Sequence, residues 1–247
     1  MSLRRLADPV VPRWALAVAV LTGFSGVRAP LPAAQGQARE SPPAEDARGL
    51  PDPDPAPWLG RAKAAMAARD FDAAVAAADS AEARAPGRSA VQLVVGQAYL
   101  SHARDNPSLG AIGKVKKGRA AVERAITLDP DNLEARTTLL HFLLQAPGLV
   151  GGSKDGARTQ AHEIERRDRR RGLLARLDVA IAAGKRDELR AVYDDAMSLL
   201  APLAGGDAAL TQAFVGALPR IKDRRLRKEL TAEIGAVVSG GRLRAGG

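Results

Sequence analysis

What most constrains this chain is that it repeats itself. Two stretches, "WLGRAKAAMAARDFDAAVAAADSAEARAP" (residues 58–86) and "QLVVGQAYL" (residues 92–100), put Ala62 and Ala65 in register with Gly96 and Tyr99, an offset of 34 residues. That is the period of a helix-turn-helix unit, which cannot bury its apolar face alone and therefore implies stacked neighbours. In the first unit Phe71 supplies a bulky anchor for a second helix and Ala74, Ala78 and Ala81 keep its crossing small. Asp70 is placed to cap its start, and Pro86 stops it. The composition, 46% apolar but only 3% aromatic, agrees. Interiors filled by alanine and leucine suit closely approaching helices better than packed sheets. The expected fold class is all-α.

The second unit is interrupted. Ten residues, "RDNPSLGAIG" (104–113), intervene before "GRAAVERAITLDP", where Gly118, Val122, Ala125 and Pro130 resume the spacing. The third opens on "DNLE", with Asp131 placed to cap a helix through "LEARTTLLHFLLQ". Its second helix is expected in "KDGARTQAHEIERRD", with Ser153 as cap and Ala157, Ala161 and Ile164 at small and apolar positions. Between the two lies the glycine-rich "APGLVGGSKD". A phosphate-binding loop would follow a strand and end in Gly-Lys-Ser/Thr; here a helix precedes and the order is Gly-Gly-Ser-Lys. Gly148, Gly151 and Gly152 therefore read as a lengthened inter-helix turn. A more degenerate fourth unit has Ala175 at its small position, Gly184 at its turn, Leu189, Tyr193 and Ala196 in its second helix, and Pro202 as stop. Asp207 is placed to cap "AALTQAFVGALP", and "RRLRKELTAEIGAVV" reads as an amphipathic terminal helix.

The positions of Trp58, Ala62, Ala65, Phe71, Ala74, Ala78 and Pro86, taken up again by Gly96, Tyr99, Gly118, Val122, Ala125 and Pro130, resemble those of tetratricopeptide repeat (TPR) proteins. The turn "APGLVGGSKD" is similar to one in exported bacterial members of that family. The resemblance implies a TPR-like helix-turn-helix solenoid of about four repeats with two insertions, over residues 58–203. C-terminal capping helices would span 207–240 and a flexible tail 241–247. It also implies a concave groove lined by the first helices, where partners bind. The groove positions are Leu59, Lys63 and Met66 in the first unit, Leu93, Gln97 and Leu100 in the second, and Asn132, Arg136, Leu139 and Phe142 in the third. Packing between helices is the alternative use of the same apolar stripe. Of the basic and asparagine residues by which some TPR domains clamp a peptide carboxylate, only Arg136 is matched.

The N-terminus points to export. Arg4, Arg5 and Arg13 precede the apolar run "WALAVAVLTGF", long enough for a signal-peptide core and too short to span a bilayer. Cleavage after Ala29, Gly36 or Ala38 is compatible with the small residues there; residues 1–36 are taken as the signal peptide and an uncleaved anchor is the alternative. Residues 37–57 continue a proline-rich stretch, ending in "PDPDPAP", that reads as an extended linker. The chain has no cysteine, which excludes disulfides and a cysteine-linked lipid anchor. The expected location is periplasmic or secreted.

Charge offers a second kind of surface. Residues 1–36 carry four arginines and one aspartate, so the remainder holds +6 of the formal +9. The cations concentrate in "KVKK" (114–117), "RRDRRR" (166–171) and "RIKDRRLRK" (220–228), which could attract anionic lipid or polymer or simply be solvated helix faces. Few aromatics are available to stack on bases, so a nucleic-acid partner is not expected. No catalytic set emerges. His102, His141 and His162 lack a second ligand at metal-site spacing, and His141, at an interior repeat position, reads as a packed core histidine. Asp194 and Asp195 read as an exposed helix face. Neither metal nor cofactor is expected. The function read from these features is non-enzymatic: a scaffold binding a protein or peptide segment in its groove. The alternatives are a small apolar ligand in that groove, as in transporter-associated TPR components, or an envelope polymer or lipid on the basic clusters, the latter route or an uncleaved N-terminus being the only membrane association implied.

Overall fold

The computed structural model describes residues 54–108, 110–200 and 208–244. The expected signal peptide, the linker up to residue 53, Pro202, Asp207 and residues 245–247 lie outside them. The described residues form α1 (Ala56–Ala67), α2 (Phe71–Arg84), α3 (Ser89–Asp105), α4 (Ala111–Leu128), α5 (Leu133–Gln145), α6 (Lys154–Glu165), α7 (Arg169–Ala183), α8 (Arg186–Leu200), α9 (Ala208–Ala217) and α10 (Arg224–Arg244). Two 3-10 turns, Gly148–Val150 and Leu218–Arg220, complete the regular structure. No strand is present among the described residues, and none of these helices is long and apolar enough to cross a membrane. The expected all-α class holds, with helices packing on their sequence neighbours: α1 on α2, α2 on α3, α5 on α6, α6 on α7, α7 on α8. The chain divides into two compact units, one ending at Gly118 and one beginning at Arg119, a division inside α4.

Local chemistry sets the helix ends. Asp70 accepts a hydrogen bond from the Ala73 amide at 3.1 Å, Ser153 from Gly156 at 3.0 Å and Asp168 from Arg171 at 2.9 Å, each occupying an amide that the first helical turn leaves over. Gly184 closes α7 with φ 70°, the left-handed conformation that glycine adopts without strain. One expected cap is corrected. The cap of α5 is Asn132, which accepts from Ala135 at 2.9 Å, while the Asp131 carboxylate pairs with Arg167 at 2.7 Å. Of the interrupting stretch 104–113, α3 takes in the residues through Asp105 and α4 those from Ala111. The linker also ends earlier than expected: α1 starts at Ala56 and takes Pro57 into its first turn, where a missing N–H costs nothing. At the other end, α10 extends through residues 241–244, expected as tail.

In the unit ending at Gly118 the core is built mostly from small residues. Ala62, Ala74, Ala78, Ala81, Val91, Val95 and Ala98 are wholly buried, with Phe71 as the large side chain among them. A side chain on Gly118 would stand 2.9 Å from the Leu100 Cγ and 3.1 Å from the Gly96 carbonyl oxygen, so this part of α4 lies against α3 at a distance only glycine allows. The unit beginning at Arg119 has a larger and more apolar core. Leu173, Leu177, Leu189, Val192 and Tyr193 of α7 and α8 pack with Phe214 of α9 and Leu226, Leu230 and Ile234 of α10. Tyr193 and Phe214 meet edge to face with centroids 5.0 Å apart, and the Tyr193 hydroxyl donates to the Phe214 carbonyl at 3.0 Å. The last two helices thus contribute side chains to this core.

Candidate functional site

The glycine-rich turn between α5 and α6 settles whether it can cradle an anion. A phosphate loop works by pointing several unengaged backbone N–H groups at one place. Here the Val150 amide donates to Pro147 at 3.0 Å, Gly151 to Gly148 at 3.0 Å, Gly152 to Pro147 at 3.0 Å and Ser153 to Leu143 at 2.9 Å. All four are turned back onto the chain's own carbonyls. Gly151 has φ 97°, and its carbonyl accepts from the Arg119 guanidinium at 3.3 Å. The structure therefore agrees with the reading of a closed bend, whose apex exposes Leu149.

The ten groove positions are sorted by burial. Lys63 is exposed, and Leu59 and Met66, on the same face of α1 at helical spacing, are half-buried. Gln97 and Leu100 of α3 are also half-buried, as is Phe142 of α5, over whose ring the Arg119 guanidinium lies at 5.9 Å. Leu93, Arg136 and Leu139, in contrast, are packed inside, and Asn132 is engaged as a cap. The buried face of α5 comprises Ala135, Arg136, Leu139, Leu140 and Leu143. Arg136 works within the fold: its guanidinium donates to the Pro130 carbonyl at 2.8 Å and to Gln160 at 3.2 Å, and lies 3.7 Å from Glu163. Burial holds it below the usual arginine range, reinforced by the neighbouring Arg167.

His141 is the residue that the sequence misplaced. Its side chain is 47% exposed, and Nε2 lies 3.1 Å from Asp178 Oδ2, whose other oxygen accepts from Arg220 at 2.9 Å. Asp178 is half-buried. Burial alone would raise its pKa, but the hydrogen bonds from His141 and Arg220 prevail and hold the carboxyl below its usual range. His141 on α5 and Asp178 on α7 stand 37 residues apart in the chain and are brought together by the packing of α5 on α7. His141, Asp178 and Arg220 thus form a row across the α5 and α7 faces and the 3-10 turn after α9.

A second polar set ties α2, α3 and α4 in the unit ending at Gly118. The Tyr99 hydroxyl lies 2.8 Å from Asp79 Oδ2, and the Lys117 ammonium donates to Asp79 at 3.0 Å and to Tyr99 at 2.8 Å. Burial, helped by Asp79, raises the Tyr99 pKa despite Lys117. The Lys117 pKa is also raised: burial opposes this, but its bonds to Tyr99 and Asp79 prevail. Near neutrality the phenol therefore keeps its proton and the amine its charge, both held against the Asp79 side chain.

Much of the concentrated positive charge is neutralised in place. Lys117 meets Asp79; Arg166 and Arg167 share Glu163, and Arg171 meets Asp168 at 3.5 Å. Asp194 and Asp195 pair with Arg190 at 2.8 Å and Arg176 at 2.7 Å respectively. Among the described residues no group of three or more histidine, aspartate or glutamate side chains is arranged to hold a metal ion. No protein-family model matches the chain, and no curated protein matches it.

Proposed function

We propose that this protein is an exported, non-enzymatic scaffold of the TPR type, which binds a segment of a partner protein along the exposed faces of its first helices. The observation that carries this reading is the layout of helix faces. Within one unit α1 packs on α3 as well as α2, and within the other α5 packs on α7 as well as α6. First helix against first helix is how a tandem array of helix pairs lines one side with side chains that can meet a partner. On α1 that side offers Leu59, Lys63 and Met66; on α5 it offers the exposed His141. Apolar groups flanked by hydrogen-bonding ones suit a peptide, whose backbone and side chains need both. The 34-residue offset of Ala62 and Gly96, both buried, supports the repeat assignment.

The test is site-specific photocrosslinking in the exporting cell, with the crosslinker at Met66, His141 or, as control, Arg124 on α4. A discrete protein adduct from the first two positions and not from Arg124 is the expected result. No adduct at either face overturns the scaffold reading. Native mass spectrometry of the chain recovered from the exported fraction separates the small-ligand alternative, which demands an excess on the order of a few hundred daltons over the bare chain.

A second reading has one observation in its favour. Arg186 pairs with both Asp223 and Glu229, at 2.9 and 2.6 Å, so the acids at the start of α10 are already engaged while Lys222, Arg224 and Lys228 stay exposed. Cations at a helix N-terminus oppose the helix dipole, and an anionic polymer or lipid would relieve that. Binding of this kind vanishes as salt is raised, whereas an apolar groove contact survives.

A further inference from the structure

His102 is buried on α3, its side chain 8% exposed, between groups of opposite charge. Asp72 of α2 places Oδ1 2.8 Å from Nε2. Lys114, in the first turn of α4, places Nζ 2.8 Å from Nε2 and 3.1 Å from Nδ1. An ammonium only donates and a carboxylate only accepts. One ring nitrogen must therefore carry a lone pair for Lys114 and one a proton for Asp72, which only neutral imidazole provides. The assignment that gives each group a partner is Nε2–H donating to Asp72 and Nδ1 accepting from Lys114 at 3.1 Å, with the ammonium also standing 2.8 Å from Nε2, a contact that carries no bond. A second proton removes the lone pair and sets imidazolium N–H against ammonium. It strengthens the bond to Asp72 and abolishes the one to Lys114.

We propose that His102 is a proton-operated latch on the first turn of α4: neutral, it ties α2, α3 and α4 together; protonated, it keeps Asp72 and releases Lys114. The other charged groups around it are accounted for. Arg69, in the turn between α1 and α2, is engaged with Asp105 at 2.7 Å, and Arg104 of α3 itself points to solvent. One helical turn along, Tyr99, Asp79 and Lys117 form their own set. With Tyr99 and Lys117 both raised above their ordinary ranges, that set keeps its charge state where an imidazole titrates. The two rows thus differ in kind: the Lys117 row holds α4 to α3 at any pH near neutrality, and the Lys114 row holds only while His102 is neutral. What acid frees is the start of α4 and the connection leading into it, where the Ala111 amide donates to Ser108 at 2.9 Å and Asn106 to the His102 carbonyl at 2.9 Å.

The test is amide hydrogen exchange of the full chain at about pH 8 and about pH 5, the range over which imidazoles titrate, corrected for intrinsic exchange chemistry. Amides of residues 111–116 should lose about tenfold protection at the acid pH, as expected for a local opening, while those of α2 change less than about twofold. In His102→Gln, whose amide offers one donor and one acceptor at every pH, protection should be retained at both; in Lys114→Met it should be low at both. An unchanged acid response in His102→Gln, or none in the unaltered chain, overturns the latch. Should either variant misfold, NMR of the unaltered chain decides: the Lys114 Cε resonance must titrate with the midpoint of the His102 ring and not with those of His141 or His162. Independent curves refute the proposal.

Discussion

Replacing Gly152 by alanine should cost far more than the same change at Gly148 in the same turn. A Cβ on Gly152 would overlap the Ala146 carbonyl oxygen and lie 2.6 Å from its carbon. Those are backbone atoms ahead of Pro147, so no rotamer relieves the overlap and the turn must open. Opening it endangers the bonds from Gly152 to Pro147 at 3.0 Å and from Ser153 to Leu143 at 2.9 Å. Two backbone bonds at about 1 kcal/mol each, added to about 1–3 kcal/mol for overpacking, give a loss of about 3–5 kcal/mol. A Cβ on Gly148 meets nothing within 4 Å, and Gly148→Ala should be neutral or stabilising by up to about 1 kcal/mol through the unfolded chain. Gly151→Ala falls between. Its φ of 97° costs an L-residue about 1–2 kcal/mol, but the neighbouring Arg119 tip can swing aside. Urea unfolding of the three variants, followed by far-ultraviolet circular dichroism, measures the order directly. Finding Gly152→Ala within about 0.5 kcal/mol of Gly148→Ala, the scatter of an innocuous surface change, would refute the closed-bend geometry. So would phosphate binding that Gly152→Ala removes at unchanged stability.

Two further substitutions probe the core of the unit beginning at Arg119. Burial pushes the Tyr193 phenol up to about 12, against the opposing Arg220 charge. An unfolded tyrosine ionises near pH 10, so its stabilising contribution is complete below about pH 10 and is lost as pH rises through 12, a loss of about 2–3 kcal/mol. Tyr193→Phe should cost about 1–3 kcal/mol at neutral pH, because the Phe214 carbonyl loses its donor, yet fall less steeply when urea midpoints are compared near pH 8 and pH 11. Arg136→Ala should destabilise by about 1–3 kcal/mol, since it removes a buried side chain and takes the donor from the Pro130 carbonyl and the half-buried Gln160. If Arg136 instead served a partner at the surface, the same change would leave the urea midpoint in place and weaken only the crosslink.

Short-range chemistry was legible in the residues themselves. Asp70, Ser153 and Gly184 terminate helices because a carboxylate, a hydroxyl and a residue tolerant of positive φ satisfy groups within a few residues of themselves, wherever the helix later packs. The small residues at the crossings were legible for the same reason that they are needed, since only Ala62, Gly96 or Gly118 can let one backbone lie against another. The orientation of a helix about its axis was not. "LEARTTLLHFLLQ" is apolar on most sides, and each residue turns the face by about 100°. Nothing local says that Arg136 and Leu139 go inside while His141 comes out; the neighbours α6 and α7 decide it by offering Gln160, Glu163 and Asp178 as partners. The same holds for Asp131, which left the cap to Asn132 once Arg167, 36 residues away, came within reach. The sequence by itself determined that the chain is helical, where most helices begin and end, and that a glycine-rich stretch forms a bend between two of them. Which side chains face water, which charges cancel, and that His102 stands between Asp72 and Lys114 were decided only in three dimensions, because each depends on groups that the chain brings together from different helices.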